Sequence, residues 1–140
     1  MSTVAATPFP TLKTSLMVRV ILAFAGFSFI AVGSAILFAP HPFYASTDVD
    51  LVDSPTLLSD IHGLGALILS TGILIAVGAF VHRLAFMSAL VGAVVYLSYV
   101  AARLLSLAVD GRPGPSVLGA LAVELLLGLG CLFALVRYRD

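Results

Sequence analysis

Four long apolar runs, separated by short polar punctuation, dominate the chain. The first covers residues 17–38 and stops at Pro40-His41-Pro42. Proline lacks an amide donor and disfavours helical geometry in the residue before it, so this sequence does not continue a helix. The second run, residues 54–81, is announced by Asp53-Ser54-Pro55, a capping side chain followed by proline in the first turn. His82-Arg83 interrupts the pattern, and the third run extends over residues 84–109 to a stop at Asp110-Gly111. Pro113 and Pro115 punctuate the next connection, and the fourth run covers residues 116–136. Each run reaches the ~20 apolar residues that a bilayer-spanning helix needs. All loops are short except 39–53, so sequence neighbours should lie antiparallel. The pattern predicts an all-α protein, a four-helix transmembrane bundle of up-down-up-down topology. Residues 1–16, with Pro8, Pro10 and small polar side chains, read as a disordered or surface-lying tail, and residues 17–140 as one membrane domain. The first span is too long for the ~7–15-residue apolar core of a signal peptide and reads as an uncleaved anchor.

Composition agrees with the pattern. Hydrophobic residues make up 61% of the chain and charged residues 10%, against ~45–50% and ~25% in soluble domains. Mean hydropathy is +1.16. Seven Lys/Arg balance seven Asp/Glu, which leaves no basic footprint for nucleic acid. The single cysteine, Cys131, excludes an intramolecular disulfide and a Cys-based metal cluster. His41, between two prolines, has no second ligand at metal-binding spacing. No phosphate-binding GxxxxGK[ST] loop and no nucleophile arrangement is visible. The sequence therefore predicts no cofactor, no metal and no catalytic residue, and it favours a non-enzymatic role.

Lys13, Arg19, Arg83, Arg137 and Arg139 fall on one side of the predicted membrane, and Arg103 and Arg112 on the other. Five against two places both termini in the cytoplasm by the positive-inside rule. Phe43 and Tyr44 then read as aromatic anchors at the outer headgroup level.

Four ionisable side chains, Asp60, His62, Arg103 and Glu124, do not fit an apolar span. At the rise of a helix, Asp60 and His62 lie ~9 and ~12 Å below the outer end of the second span, Arg103 ~9 Å below that of the third, and Glu124 ~12 Å into the fourth. Three helices bring charge to one level in the outer half of the bundle. On the third span Ser88, Gly92, Tyr96, Tyr99, Arg103, Ser106 and Asp110 share one stripe, which in lipid should face inward. On the fourth, Glu124 shares a face with Ala120, Gly128 and Cys131, small residues that admit a neighbouring helix. Asp60 aligns with Thr71 and Gly78, whereas His62 points to a different face. The expected pairing is Arg103 with Glu124, with Tyr96 or Tyr99 hydroxyls completing the network. Gly26 and Gly33, and Gly65 and Gly72, stand seven apart and mark packing stripes. Phe24, Phe27 and Phe29 spread around the first span and read as lipid-facing bulk.

The stretches Leu58-Ser59-Asp60-Ile61-His62-Gly63-Leu64-Gly65, Ala102-Arg103-Leu104-Leu105-Ser106, Asp110-Gly111-Arg112-Pro113 and Glu124-Leu125, with the Pro40…Phe43-Tyr44 exit of the first span, carry a likeness. They resemble a family of small bacterial four-helix membrane proteins of unknown function, broadly similar to the DoxX-like group. The resemblance implies an acidic residue at the place of Asp60, an arginine at Arg103 and a glutamate at Glu124. It implies arginine where this chain has His62, a departure that would make a constant positive charge pH-dependent. DoxX-like relatives are linked to redox and thiol-stress contexts, but one buried cysteine carries no thiol-exchange mechanism over.

Two roles for the charged cluster stand side by side: fixing helix order, or contacting a ligand. The leading expectation is a multi-pass protein of the bacterial inner membrane, an accessory subunit or a binder of a lipid or small amphiphile. Its polar pocket in the outer half would be built from Asp60, His62, Arg103 and Glu124 and lined by Tyr96 and Tyr99. Membrane lipids, a second copy or another membrane protein are the expected partners. The alternative is a proton-coupled small-molecule transporter with Glu124 as carrier.

Overall fold

Two serines open the first two spans in the computed structural model, which describes residues 15–137. The Ser15 side chain accepts the Val18 amide at 3.4 Å, and Ser54 accepts that of Leu57 at 3.5 Å. Each satisfies a first-turn amide that has no carbonyl partner within the helix. The tail through residue 14, with Pro8, Pro10 and Lys13, and residues 138–140, with Arg139, lie outside the described residues. The elements are α1 (Leu16–Phe38), α2 (Pro40–Ala45), α3 (Pro55–Phe80), a 3-10 turn (His82–Leu84), α4 (Ala85–Val109) and α5 (Pro115–Arg137). Among the described residues there is no strand. The helices α1, α3, α5 and α4 with its preceding turn are long and apolar enough to cross a membrane. The four-helix bundle predicted from hydropathy is therefore present.

One element departs from the expected loop. Ala39 breaks α1 with φ −144° and ψ 60°, but Pro40 then occupies the first position of α2. Neither Pro40 nor Pro42 costs a helical hydrogen bond there, because first-turn amides have no intrahelical acceptor. The two prolines that end one helix thus begin another. Phe43 and Tyr44 on α2 are half-buried against the core, with rings 5.5 Å apart and nearly perpendicular. A 2.9 Å contact between His41 Nε2 and Asp53 Oδ1 ties the two ends of this connection together. At the next turn Asp110 caps α4, and Gly111 takes φ 99°, a left-handed conformation that glycine adopts without steric cost.

The two glycine pairs decide how α1 meets α3. A Cβ placed on Gly26 would stand 2.5 Å from the Ala76 backbone nitrogen, and one on Gly72 2.6 Å from that of Ile30. A Cβ on Gly65 would lie 2.7 Å from the Leu37 nitrogen, and one on Gly33 would collide with the Leu69 backbone. The two helices are in backbone contact over about three turns of each, the close approach that small residues permit in lipid. Around the bundle α3 packs on α4, α4 on α5 and α5 on α1, while α1 and α4 touch across the short diagonal. Gly78 fits against Ser88, and Gly92 against the Cys131 sulfur, so the α3–α4 and α4–α5 seams also use glycine.

The core is a band of Leu22, Ala25, Phe29, Ile75, Ala89, Tyr96 and Cys131. Phe29, expected to face lipid, is 5% exposed, whereas Phe24 and Phe27 are 69% and 55% exposed. Phe29 lies on the Leu22–Gly26–Gly33 side of α1, so the backbone contact with α3 carries it inward. Burial thins toward the end of the bundle that carries α2 and the 110–114 connection, here termed the loop end. Beyond Val100 α4 has no buried residue, and α5 has none before Gly128.

Candidate functional site

Arg103 and Glu124 meet where the α4–α5 hairpin leaves the core. The Arg103 Nε donates to Glu124 Oε2 at 2.6 Å and its Nη2 donates to Oε1 at 2.9 Å. This is the two-point, fork-to-fork geometry that makes arginine–carboxylate pairs strong and directional. The small faces of the two helices bring it about. Gly128 admits the Tyr96 and Leu97 side chains of α4, and Cys131 fills the space beside Gly92. The expected pair is thus formed, with the Arg103 side chain 30% exposed and that of Glu124 13% exposed. The Tyr99 ring lies beside the guanidinium, with Arg103 Cζ 6.0 Å from the ring centroid. Phe29 meets Tyr99 edge-on at 5.9 Å, which links the pair to the core.

The pair leaves donors unused. A guanidinium carries five N–H donors, two of which are spent on Glu124. The other three meet no acceptor among the described residues. They belong to a side chain that lies ~9 Å below the loop end of α4. At such depth an N–H group without a partner is costly, because lipid offers no water to bond.

The other candidates are placed elsewhere. Tyr96 is 1% exposed, and its hydroxyl donates to the Ala25 carbonyl of α1 at 2.6 Å, with Ser28 close by. It does not complete the Arg103–Glu124 network. It crosses the short diagonal of the bundle, with its ring 4.2 Å from that of Phe29. Asp60 and His62 are exposed and bond to no described residue. The reason is rotational. Gly65 and Gly72 must face the α1 backbone, which carries Ile61 inward. Asp60 and His62, ~100° to either side of Ile61, are then turned away from the core. The six candidate side chains therefore do not share one pocket. They divide into the Arg103–Glu124–Tyr99 group, a structural Tyr96 and an exposed Asp60/His62 face.

The sequence reading also passed over two polar contacts. Arg19 Nε donates to the Ala79 carbonyl at 3.1 Å, placing a cation at the C-terminal end of α3 where the helix dipole favours it. It borders an open groove of about 300 Å³ with Val20, Ala23, Ala79 and Phe80, at the end of the bundle opposite Arg103. Ser88 donates to the Leu74 carbonyl at 2.8 Å and fixes α4 on α3. Its place in the polar stripe of α4 was the available signal. Among the described residues no three His, Cys, Asp or Glu side chains converge as a metal site.

A family model matches residues 17–135, the whole span from α1 to the last turn of α5, and its description is a domain of unknown function, DUF4345. The chain belongs to the DUF4345 family. Its members' description names no reaction, so chemistry in this DUF4345 protein is argued from its own residues. No curated protein and no solved structure shows a significant match to the chain.

Proposed function

We propose that this DUF4345 protein is a non-enzymatic binder of an anionic amphiphile, whose phosphate headgroup is held by Arg103 beside Tyr99. The observation that carries the reading is the set of three Arg103 N–H donors that meet no acceptor among the described residues, inside a membrane-spanning helix. A phosphate offers planar pairs of acceptors to a guanidinium edge, and the depth of Arg103 suits a headgroup drawn slightly inward from the surface. Glu124 fixes the guanidinium, so the free edge is presented in one orientation. In this reading Asp60 and His62 take no part in the headgroup contact. The topology with both termini in the cytoplasm belongs to the same proposal and rests on the five-to-two division of Lys/Arg. So do a bacterial inner-membrane location and kinship with the DoxX-like group, which rest on the sequence resemblance and the four-helix plan.

The test is lipid retention by the purified protein, measured as phosphatidylglycerol that survives delipidation. Arg103→Gln should reduce it about tenfold, the effect of losing about one charge-assisted hydrogen bond, while the helix content stays unchanged. Equal retention by a folded Arg103→Gln protein would sink the proposal.

A further inference from the structure

The face of α3 that points away from the bundle has the composition of a helix-packing surface. Ser59, Gly63 and Ser70 form a line along it, all exposed. This line lies opposite the buried Ile61, Ile68 and Gly72. A Cβ on Gly63 would meet nothing within 4 Å. Among the described residues no neighbouring helix requires a glycine there, although glycine is disfavoured in a helix interior. Asp60 and His62 flank the line, about 80° to either side of it at the turn of an α-helix. Both are without a partner among the described residues, ~8 and ~11 Å from the start of a membrane-spanning helix. Ionisable groups at such depth normally pair with one another or line a polar cavity.

We infer that this face is the seam of a homodimer in which α3 packs on α3 of a second copy. The symmetry supplies the argument. In a parallel pair related by a two-fold axis, a residue on one flank of the contact line faces the residue on the opposite flank of the partner. Asp60 of each copy therefore faces His62 of the other, and an imidazole N–H is donated to a carboxylate twice over. The two residues differ by only ~3 Å in height, within reach of both side chains, and Gly63 lets the backbones approach at the crossing. A face with two acids or two bases would repel itself, whereas this one is self-complementary. The inference does not depend on Arg103 or on the proposed headgroup.

Oxidative cross-linking in proteoliposomes at low protein density tests it, on a Cys131→Ala background. Ser59→Cys and Ser70→Cys should form disulfide-linked dimers. Leu126→Cys, at a position of α5 that is 71% exposed, should not. Asp60→His or His62→Asp alone should lower the yield about tenfold, because two intramembrane pairs are lost together. The swap of both residues in one chain should restore it. These side chains are exposed in the single chain, so helix content and melting in detergent monitor folding independently. Cross-linking of Leu126→Cys as efficient as that of Ser59→Cys overturns the seam. So does a double swap no better than the single variants, or single variants that dimerise like the parent.

Discussion

Arg103 is bound to Glu124 at two points, 2.6 and 2.9 Å, on the loop-end side of a seam in which Gly128 admits Tyr96 and Leu97 and Cys131 fills the space beside Gly92. Before Gly128 α5 has no buried residue, so the pair is the polar tie between α4 and α5 at that end. Glu124→Gln or Arg103→Gln should each destabilise the fold by about 2 kcal/mol, less than the loss of a fully buried pair because Arg103 is partly exposed. The double variant should recover much of that loss. Unfolding in mixed detergent micelles measures all three, and purely additive losses would mean that the residues are not coupled.

Glycine substitutions should divide by location. Gly33→Ala and Gly72→Ala force a methyl group into the backbone of the facing helix and should cost about 2–3 kcal/mol or prevent folding. Gly119→Ala meets nothing within 4 Å and should be neutral or stabilising by up to about 1 kcal/mol. Melting temperatures of the three variants in one detergent decide the matter. A neutral Gly72→Ala would contradict the backbone contact of α1 with α3.

The two tyrosines of α4 should respond differently to loss of the hydroxyl. Tyr96→Phe removes a buried bond to Ala25 and should cost about 0.5–1.5 kcal/mol. The Tyr99 hydroxyl has no hydrogen-bond partner among the described residues, so Tyr99→Phe should leave stability within about 0.5 kcal/mol of the parent. Equal effects at both positions would place the Tyr96 hydroxyl wrongly.

Topology has its own readout. A fluorescent protein fused after Asp140 should fold and fluoresce in the cytoplasm, whereas a periplasmic phosphatase fused there should be inactive. A fusion within the 46–50 connection should give the reverse. An active phosphatase at the C-terminus would invert the orientation drawn from Lys/Arg placement.

The helices and the Arg103–Glu124 pair were legible in the sequence for the same reason: both depend on spacing along the chain. Proline, serine and glycine mark the helix ends, and a short connection between α4 and α5 fixes the heights of Arg103 and Glu124 relative to one another. The rotation of α3 was harder to read. Its polar residues, Ser59, Asp60, His62 and Ser70, lie on the outward side, where lipid would disfavour them, so polarity does not select the inward face. Close backbone contact at Gly65 and Gly72 selects it instead. Those glycines were visible as a stripe, and Ile61 shares their side. That shared side leaves Asp60 and His62 turned outward. The Tyr96 bond was hidden because its acceptor is a backbone carbonyl of α1, for which no residue type gives a signal. The helix α2 was hidden because proline both ends and begins helices.

The uneven glycine packing bears on how the chain is assembled during synthesis. The α1–α3 hairpin, joined through backbone contacts from Gly26 to Ala76, holds all of its own contacts within the first 80 residues, so these can form before α4 and α5 are made. Then α4 adds Ser88 and Tyr96 to that template. The helix α5, with 17% of its apolar window buried against 33–39% for the other spans, arrives last and has least to hold it. Its glutamate meets Arg103 at two points, so this least-buried span is held at the loop end by a charge-matched latch.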